Sequence, residues 1–306
     1  MSRLGRQLND KSVRAGVIFA LAAYSMWGIA PMYFKLLTSV PALEIVMHRI
    51  VWSVVVLCLL LAVRKKFSQV FRAIQDPKII ATLAISGLLL AVNWLVFIWA
   101  VNNDKMLDAS LGYFINPLFN VLLARFFLQE SLTRLQLLAV FVALAGVAFL
   151  IFSYGQLPWI ALVLATSFSI YGLLRKKVTV DSMPGLLIES CIMLPFALLY
   201  WLIMDTSSGN MLENSLDLNI TLLLAGVVTT APLLCFTAAA RRIRYTTLGF
   251  FQYIGPSLMF LLAIMHYQEP LDTSRVVTFV CVWSGLLIYV YDSLRVYRKS
   301  RKLLQE

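Results

Sequence analysis

Leu111-Gly112-Tyr113-Phe114-Ile115-Asn116-Pro117, closed thirteen residues after its proline by Gln129-Glu130, is one copy of a phrase that occurs twice. The second copy runs Leu248-Gly249-Phe250-Phe251, then Gly255-Pro256, and closes thirteen residues later at Gln268-Glu269. Both copies sit in apolar stretches of membrane-crossing length. A helix-breaking residue repeated at matching depth in two halves of a membrane protein points to the binding region of a carrier. Pro117 and Pro256 are that helix-breaking pair here.

Composition agrees with a membrane setting. Of 306 residues, 60% are hydrophobic and 13% charged, with mean hydropathy +0.83. A soluble protein carries about 25% charged residues, so half the usual solvated surface is missing. The net charge of +11 comes from short basic clusters between apolar runs, which is not a nucleic-acid signature. Cys58, Cys191, Cys235 and Cys281 lie in apolar runs without C-x-x-C spacing and read as small packing residues. With only His48 and His266 available, no metal site is expected. No cofactor motif occurs.

Apolar segments fall near 15–37, 43–63, 79–101, 109–128, 135–152, 158–174, 185–204, 218–240, 246–267 and 276–294. Each is long enough, as helix, to cross about 30 Å of hydrocarbon at about 1.5 Å per residue. None alternates like a barrel strand. The first exceeds a signal-peptide core and is expected to be a span. All Lys and Arg residues except Lys35, Arg49, Lys105 and Arg275 fall in one alternating set of connections and the two ends. By the positive-inside rule, both termini belong in the cytoplasm.

The repeat reaches well beyond the opening phrase. At a constant offset of 139, Gly87 matches Gly226, Phe97 matches Phe236, Ala100 matches Ala239, Pro117 matches Pro256 and Gly146 matches Gly285. The expected architecture is therefore all-α and integral to the membrane, with ten transmembrane helices in two inverted five-helix repeats. The first repeat covers 15–152 and the second 153–294, between a cytoplasmic N-terminus (1–14) and a basic cytoplasmic tail (295–306). Five spans per repeat force opposite orientations on the halves, the arrangement that underlies alternating access.

This pattern resembles the EamA family of the drug/metabolite transporter superfamily, and within it the RarD-type branch. The resemblance rests on Trp27-Gly28-Ile29-Ala30-Pro31 with Tyr33-Phe34-Lys35, His48-Arg49, Asn93-Trp94 through Trp99-Ala100-Val101-Asn102-Asn103, and Ala109 through Pro117. It continues in Pro232-Leu233-Leu234-Cys235-Phe236-Thr237-Ala238-Ala239-Ala240 and Gly249-Phe250-Phe251-Gln252-Tyr253-Ile254. It implies a carrier in the plasma membrane, in bacteria the inner membrane, moving small metabolites or drugs. RarD-type proteins carry a chloramphenicol-linked label, which hints at a substrate.

Polar residues in the spans mark the candidate path. Tyr113, Asn116 and Asn120 recur at i, i+3 and i+7 and share a face. They either line a central cavity or bond a neighbouring helix around a packing kink. Gln252 and Tyr253 lie at comparable depth in the pseudo-equivalent span, and Tyr33, Asn93 and Trp94 complete the substrate-binding candidates with His48 and Arg49. Glu44 and His48 stand one turn apart beside Arg49, with Lys35 near the same level. They form an interfacial ion-pair cluster, or Arg49 or His48 reads an anionic or zwitterionic substrate group, or Glu44 and His48 exchange a proton. Glu189 has no obvious local partner; it is either a coupling residue or a helix-end carboxylate. Glu130 and Glu269 read as structural turns or gates.

The expected function is a secondary transporter of a small solute, with export and proton coupling as the finer expectations. A channel is the first alternative. A membrane-embedded enzyme is disfavoured, because G-x-S-x-G, H-E-x-x-H and Walker A motifs are absent. The expected partners are a small-molecule substrate and the lipid bilayer, with no nucleic acid and a monomeric or homodimeric state.

Overall fold

The computed structural model describes residues 3–127, 133–155, 157–204, 206–240, 242–243 and 251–303. Gln129-Glu130, Leu248-Gly249-Phe250 and the side chain of Asn120 lie outside these described residues. Every regular element among them is a helix: α1 (Arg3–Lys35), α2 (Ala42–Val63), α3 (Phe67–Ala73), α4 (Pro77–Asn102), α5 (Met106–Phe127) and α6 (Arg134–Tyr154). There follow α7 (Trp159–Lys177), α8 (Ser182–Ile203), α9 (Leu216–Ala240), α10 (Ile254–Leu261), which continues as a π-helical turn (Leu262–His266), and α11 (Thr273–Leu303).

Among the described residues, seven stretches are long and apolar enough to cross a membrane: Ser12–Lys35, Ala42–Val63, Pro77–Asn102, Arg134–Ser153, Ser182–Ile203, Leu216–Phe236 and Thr273–Asp292. The other three expected segments fall on α5, on the shorter Trp159–Arg175, and on Ile254–His266. α5 carries Asp108 in its first turn. The first and last helices also outrun the expected spans: α1 runs from Arg3 to Lys35 with Pro31 inside it, and the last helix runs from Thr273 to Leu303. α3 is an element the apolar pattern did not anticipate; it begins beside Lys66 and packs against α8.

The radial distribution of polarity is inverted relative to a soluble protein. Phe141, Phe152, Leu202 and Leu287 are exposed, whereas Glu44, His48, Arg49, Asn93, Asn116 and Glu189 are buried. Within hydrocarbon, polar groups must find partners inside the bundle, and apolar side chains lose nothing by facing outward.

Packing sets the centre of the bundle. α6 lies along α11, α5 against α7 and α10, α1 against α9 and α10, α2 against α8 and α9, and α4 against α7 and α8. Glycines allow the closest approaches, as in membrane bundles generally. A side chain at Gly226 would strike the Trp52 backbone, and one at Gly285 would strike the Ala139 carbonyl. α5 runs continuously through Pro117. In the matching span, Gln252 and Tyr253 form a turn just before Pro256, which occupies the first turn of α10, where its missing N–H costs no helical hydrogen bond.

Candidate functional site

Arg49 is the centre of the site. It lies about two turns into α2, and its side chain is buried. The guanidinium sits 4.2 Å from the Trp94 ring centroid and 5.1 Å from that of Phe34. Nε donates to Thr229 Oγ1 at 2.9 Å, and that hydroxyl in turn donates to Ala225 O at 2.7 Å. Nη1 is buried without a hydrogen-bond partner. Among the described residues, no carboxylate forms an ion pair with Arg49. Cation–π contacts supply part of what water would give, about 2 kcal/mol when desolvated. They do not neutralise the charge.

Two amide clusters hang on α7, and the first reaches this cation through Asn93, the chain neighbour of Trp94. Tyr113 donates to Asn93 Oδ1 at 2.9 Å, and Asn93 Nδ2 donates to Leu164 O and Ser167 Oγ at 3.1 and 3.0 Å. Asn116 Nδ2 donates to Ala165 O and Ser169 Oγ at 3.1 and 3.0 Å, while Gln252 Nε2 donates to Asn116 Oδ1 at 2.9 Å. Ser110 Oγ adds a bond to Pro256 O at 2.9 Å. The two copies of the repeated phrase therefore touch one another.

Aromatic rings connect these groups. Edge-on or tilted contacts run from Phe34 to Phe97, Tyr113, Phe168 and Tyr171, with centroids 5.8–6.1 Å apart, the geometry that ring quadrupoles favour. Tyr33 donates to Thr221 O at 2.7 Å. The Tyr253 hydroxyl is buried with no hydrogen-bond partner.

Glu44 and His48 are tied to the loop after α8 rather than to each other. Glu44 accepts from Ser207 N, Ser207 Oγ, Ser208 N and Ser208 Oγ at 2.6–3.2 Å. His48 Nε2 lies 3.1 Å from Ser208 Oγ, so that hydroxyl stands between the two side chains expected to exchange a proton. Lys35 pairs with Asp104 at 2.5 Å. Glu189, which has no obvious local partner in sequence, has two distant ones: Ser86 Oγ donates to Oε1 at 2.5 Å, and Arg175 Nη1 lies 3.6 Å from it. Arg175 is fourteen residues upstream and Ser86 belongs to the other half of the chain.

Glu269 lies in the connection after the π turn and caps α5. Its two oxygens accept from Met106 N and Leu107 N at 2.7 and 2.8 Å. Burial pushes its carboxyl above the usual carboxylate range, against the opposing pull of these two donors and Arg275. Glu130 lies outside the described residues. Among the described residues, no group of three His, Cys, Asp or Glu side chains is placed to hold a metal ion.

Sequence reasoning missed Thr229, Ser86, Ser167, Ser169 and Arg175. The run Thr166-Ser167-Phe168-Ser169 inside an apolar segment was the available signal for α7.

An apolar exterior around a polar, charge-bearing interior of long helices defines a multi-pass membrane protein, and comparison with known proteins identifies it as transporter-like. Residues 14–152 match the EamA-like transporter family. "Protein RarD" of Salmonella typhi is 52% identical over 96% of this chain and 100% of that protein. "Protein RarD" of Escherichia coli (strain K12) is 50% identical over the same shares. An "Uncharacterized transporter" of Vibrio cholerae is 48% identical over 96% of this chain and 98% of its own. A solved protein structure superposes with TM-score 0.61 at 15% identity, covering 90% of this chain and 97% of that one; the likeness there is of fold alone. The chain belongs to the EamA family, in its RarD branch.

Proposed function

We propose that this protein is a secondary transporter of the cell's inner membrane, exporting a small metabolite or drug-like solute by alternating access. It carries no chemical conversion in this reading. Arg49 is the observation that carries it: a buried cation with a free Nη1 and no carboxylate partner among the described residues. An unpaired charge in hydrocarbon costs several kcal/mol. It is retained where a ligand's anionic group completes the pair. The Trp94 and Phe34 rings lie against the guanidinium. Tyr33, Asn93, Tyr113, Asn116, Asn120, Gln252 and Tyr253 line the solute's path, His48 stands near its outer end, and Glu189 or Glu44 is the residue through which proton coupling runs.

The reading includes ten spans in two inverted repeats, 15–152 and 153–294, with residues 1–14 and 295–306 in the cytoplasm. Two observations support it. The basic clusters alternate along the chain, and the helix contacts come in matched sets when the halves are exchanged: α1 on α9 with α7 on α4, α5 on α7 with α10 on α1, and α4 on α8 with α9 on α2. Exchange of the two halves' conformations is then the transport step.

The test is solute profiling of cells that overexpress or lack the protein, followed by counterflow of the identified solute in proteoliposomes. "Chloramphenicol-sensitive protein RarD" of Pseudomonas aeruginosa is 31% identical over 94% of this chain, which puts chloramphenicol among the first solutes to try. A carrier shows stimulation by solute on the far side. Flux without it would make the protein a channel instead.

A further inference from the structure

Among the described residues, Glu44, Glu189 and Asp292 are buried carboxylates within helices, and the surroundings of the two coupling candidates, Glu44 and Glu189, differ. Glu44 accepts four hydrogen bonds, two of them from backbone N–H groups. Protonation would force such a carboxylate to give up acceptor capacity that four donors already use. Glu189 is bound on one side only. Oε1 receives Ser86 Oγ, while Oε2 is buried with no hydrogen-bond partner among the described residues.

Glu189 also lines a cavity of about 10 Å³ with Ile50, Gly87, Ala91, Trp94 and Met193, close to the volume needed for one water. Arg175 is paired with Glu189 by charge but not by hydrogen bond: its Nη1 stands 3.6 Å from Oε1, and its Nη2 donates to Ser182 O at 3.4 Å. The other groups around Glu189 are Tyr171 of α7 and Ser86 of α4. Lys66, beside α3, is directed to Asp181, 3.8 Å away. α2 contributes Ile50 to the cavity wall.

From this geometry we infer that Glu189 is the proton-loading site of the transporter, with Oε2 taking the proton and Arg175 serving as the exchangeable counter-ion. The inference rests on the transporter reading above and selects between its two coupling candidates. A proton from water converts the carboxylate to the neutral acid, forming one O–H bond and breaking no bond in the protein. Arg175 then loses its partner. Deprotonation restores the pair.

α7 connects this event to the central site. The helix that carries Arg175 near its C-terminal end also supplies Leu164 O, Ala165 O, Ser167 Oγ and Ser169 Oγ to Asn93 and Asn116. A shift of α7 that follows release of Arg175 therefore bears directly on the groups beside Arg49. The physical requirement is a two-state element biased at both sites, and α7 is placed to be one.

The test is acid-induced infrared difference spectroscopy on the full chain in lipid nanodiscs, titrated from about pH 4 to pH 9, the range that spans ordinary and raised carboxyls. Wild type should gain a buried carboxylic C=O band that Glu189→Gln lacks and Glu44→Gln retains. Identical wild-type and Glu189→Gln spectra would overturn the inference. Two milder variants guard against misfolding. Ser86→Ala should move the same band to higher frequency by removing its donor. Arg175→Gln should raise the titration midpoint by about one unit or more, because a nearby cation favours the charged carboxylate. An unmoved midpoint would remove Arg175 from the counter-ion role. The titration needs no solute. A flat spectrum with intact counterflow therefore sinks the proton site alone, whereas a normal titration without counterflow sinks the transporter reading.

Discussion

Gln252 donates its side-chain amide to Asn116 Oδ1 at 2.9 Å, joining residues 136 positions apart that belong to the two copies of one repeated phrase. Asn116 sits one position before Pro117, and Gln252 sits in the turn that precedes Pro256. The contact couples α5 to the segment entering α10. It also ties both to α7, because Asn116 is held there by Ala165 O and Ser169 Oγ.

The bond between them should be measurable as a coupling energy. In a double-mutant cycle of Asn116→Ala and Gln252→Ala, each single change leaves a buried amide short of a partner. Interhelical hydrogen bonds in membrane proteins are worth about 0.6–1.7 kcal/mol. Unfolding in mixed micelles should return a coupling in that range, and strictly additive losses would show that the two amides do not share a bond in the membrane.

Arg49→Met should separate activity from stability. Replacing an unpaired buried charge with an apolar side chain of similar length removes a desolvation penalty, so thermal stability should hold or rise. Transport should fall about 30-fold or more, since losing a buried charge-assisted contact costs about 2–5 kcal/mol and each 1.4 kcal/mol is tenfold. Arg49→Lys should fail as well, because a point charge cannot be held flat between Trp94 and Phe34 while bonding Thr229. Flux assays at matched membrane abundance, with melting curves on the same samples, decide it. Wild-type flux in Arg49→Met would remove this residue from the path.

Glu269→Ala should loosen the start of α5. The side chain satisfies two N–H groups that a helix N-terminus otherwise leaves orphaned, and loss of such a cap costs about 0.5–2 kcal/mol. Hydrogen exchange at Met106 and Leu107 should accelerate selectively, with amides in α6 unaffected. Uniform acceleration across the bundle would mean that Glu269 does more than cap.

Glycine tolerance should follow proximity. Gly285→Ala places a methyl against the Ala139 carbonyl, while the same change at Gly172 meets nothing within 4 Å. The first should lower the yield of folded protein several-fold, in line with overpacking costs of about 1–3 kcal/mol. The second should be close to neutral. Equal yields from the two variants would contradict the α6–α11 packing.

Membrane residence, helical class and family are properties of linear pattern, and they could be read without coordinates. Long apolar runs must become helices in hydrocarbon because nothing else satisfies the backbone there, and phrases such as His48-Arg49 and Asn93-Trp94 carried the family resemblance. Which polar side chain answers which was not legible in the same way. Asn116 was identified as a site candidate, yet its partners Ser169 and Gln252 are 53 and 136 residues away. Glu189 seemed isolated because Ser86 lies 103 residues upstream. The spacing of Glu44 and His48 puts them one turn apart, but it does not show that Ser207 and Ser208 bond Glu44 or that Ser208 Oγ also lies 3.1 Å from His48 Nε2.

By itself, then, the sequence determined where this chain resides and what its helices are made of, because burial in a bilayer is decided residue by residue along each span. Tertiary structure alone decided the pairing of its few polar groups: Arg49 without a carboxylate among the described residues, Glu189 with Arg175, and Asn93 of α4 and Asn116 of α5 both bonded to α7. The reason is physical. Hydrophobic transfer is local and non-directional, so composition predicts it, whereas a hydrogen bond or ion pair needs two atoms within about 3–4 Å, and only the packed bundle specifies which atoms those are.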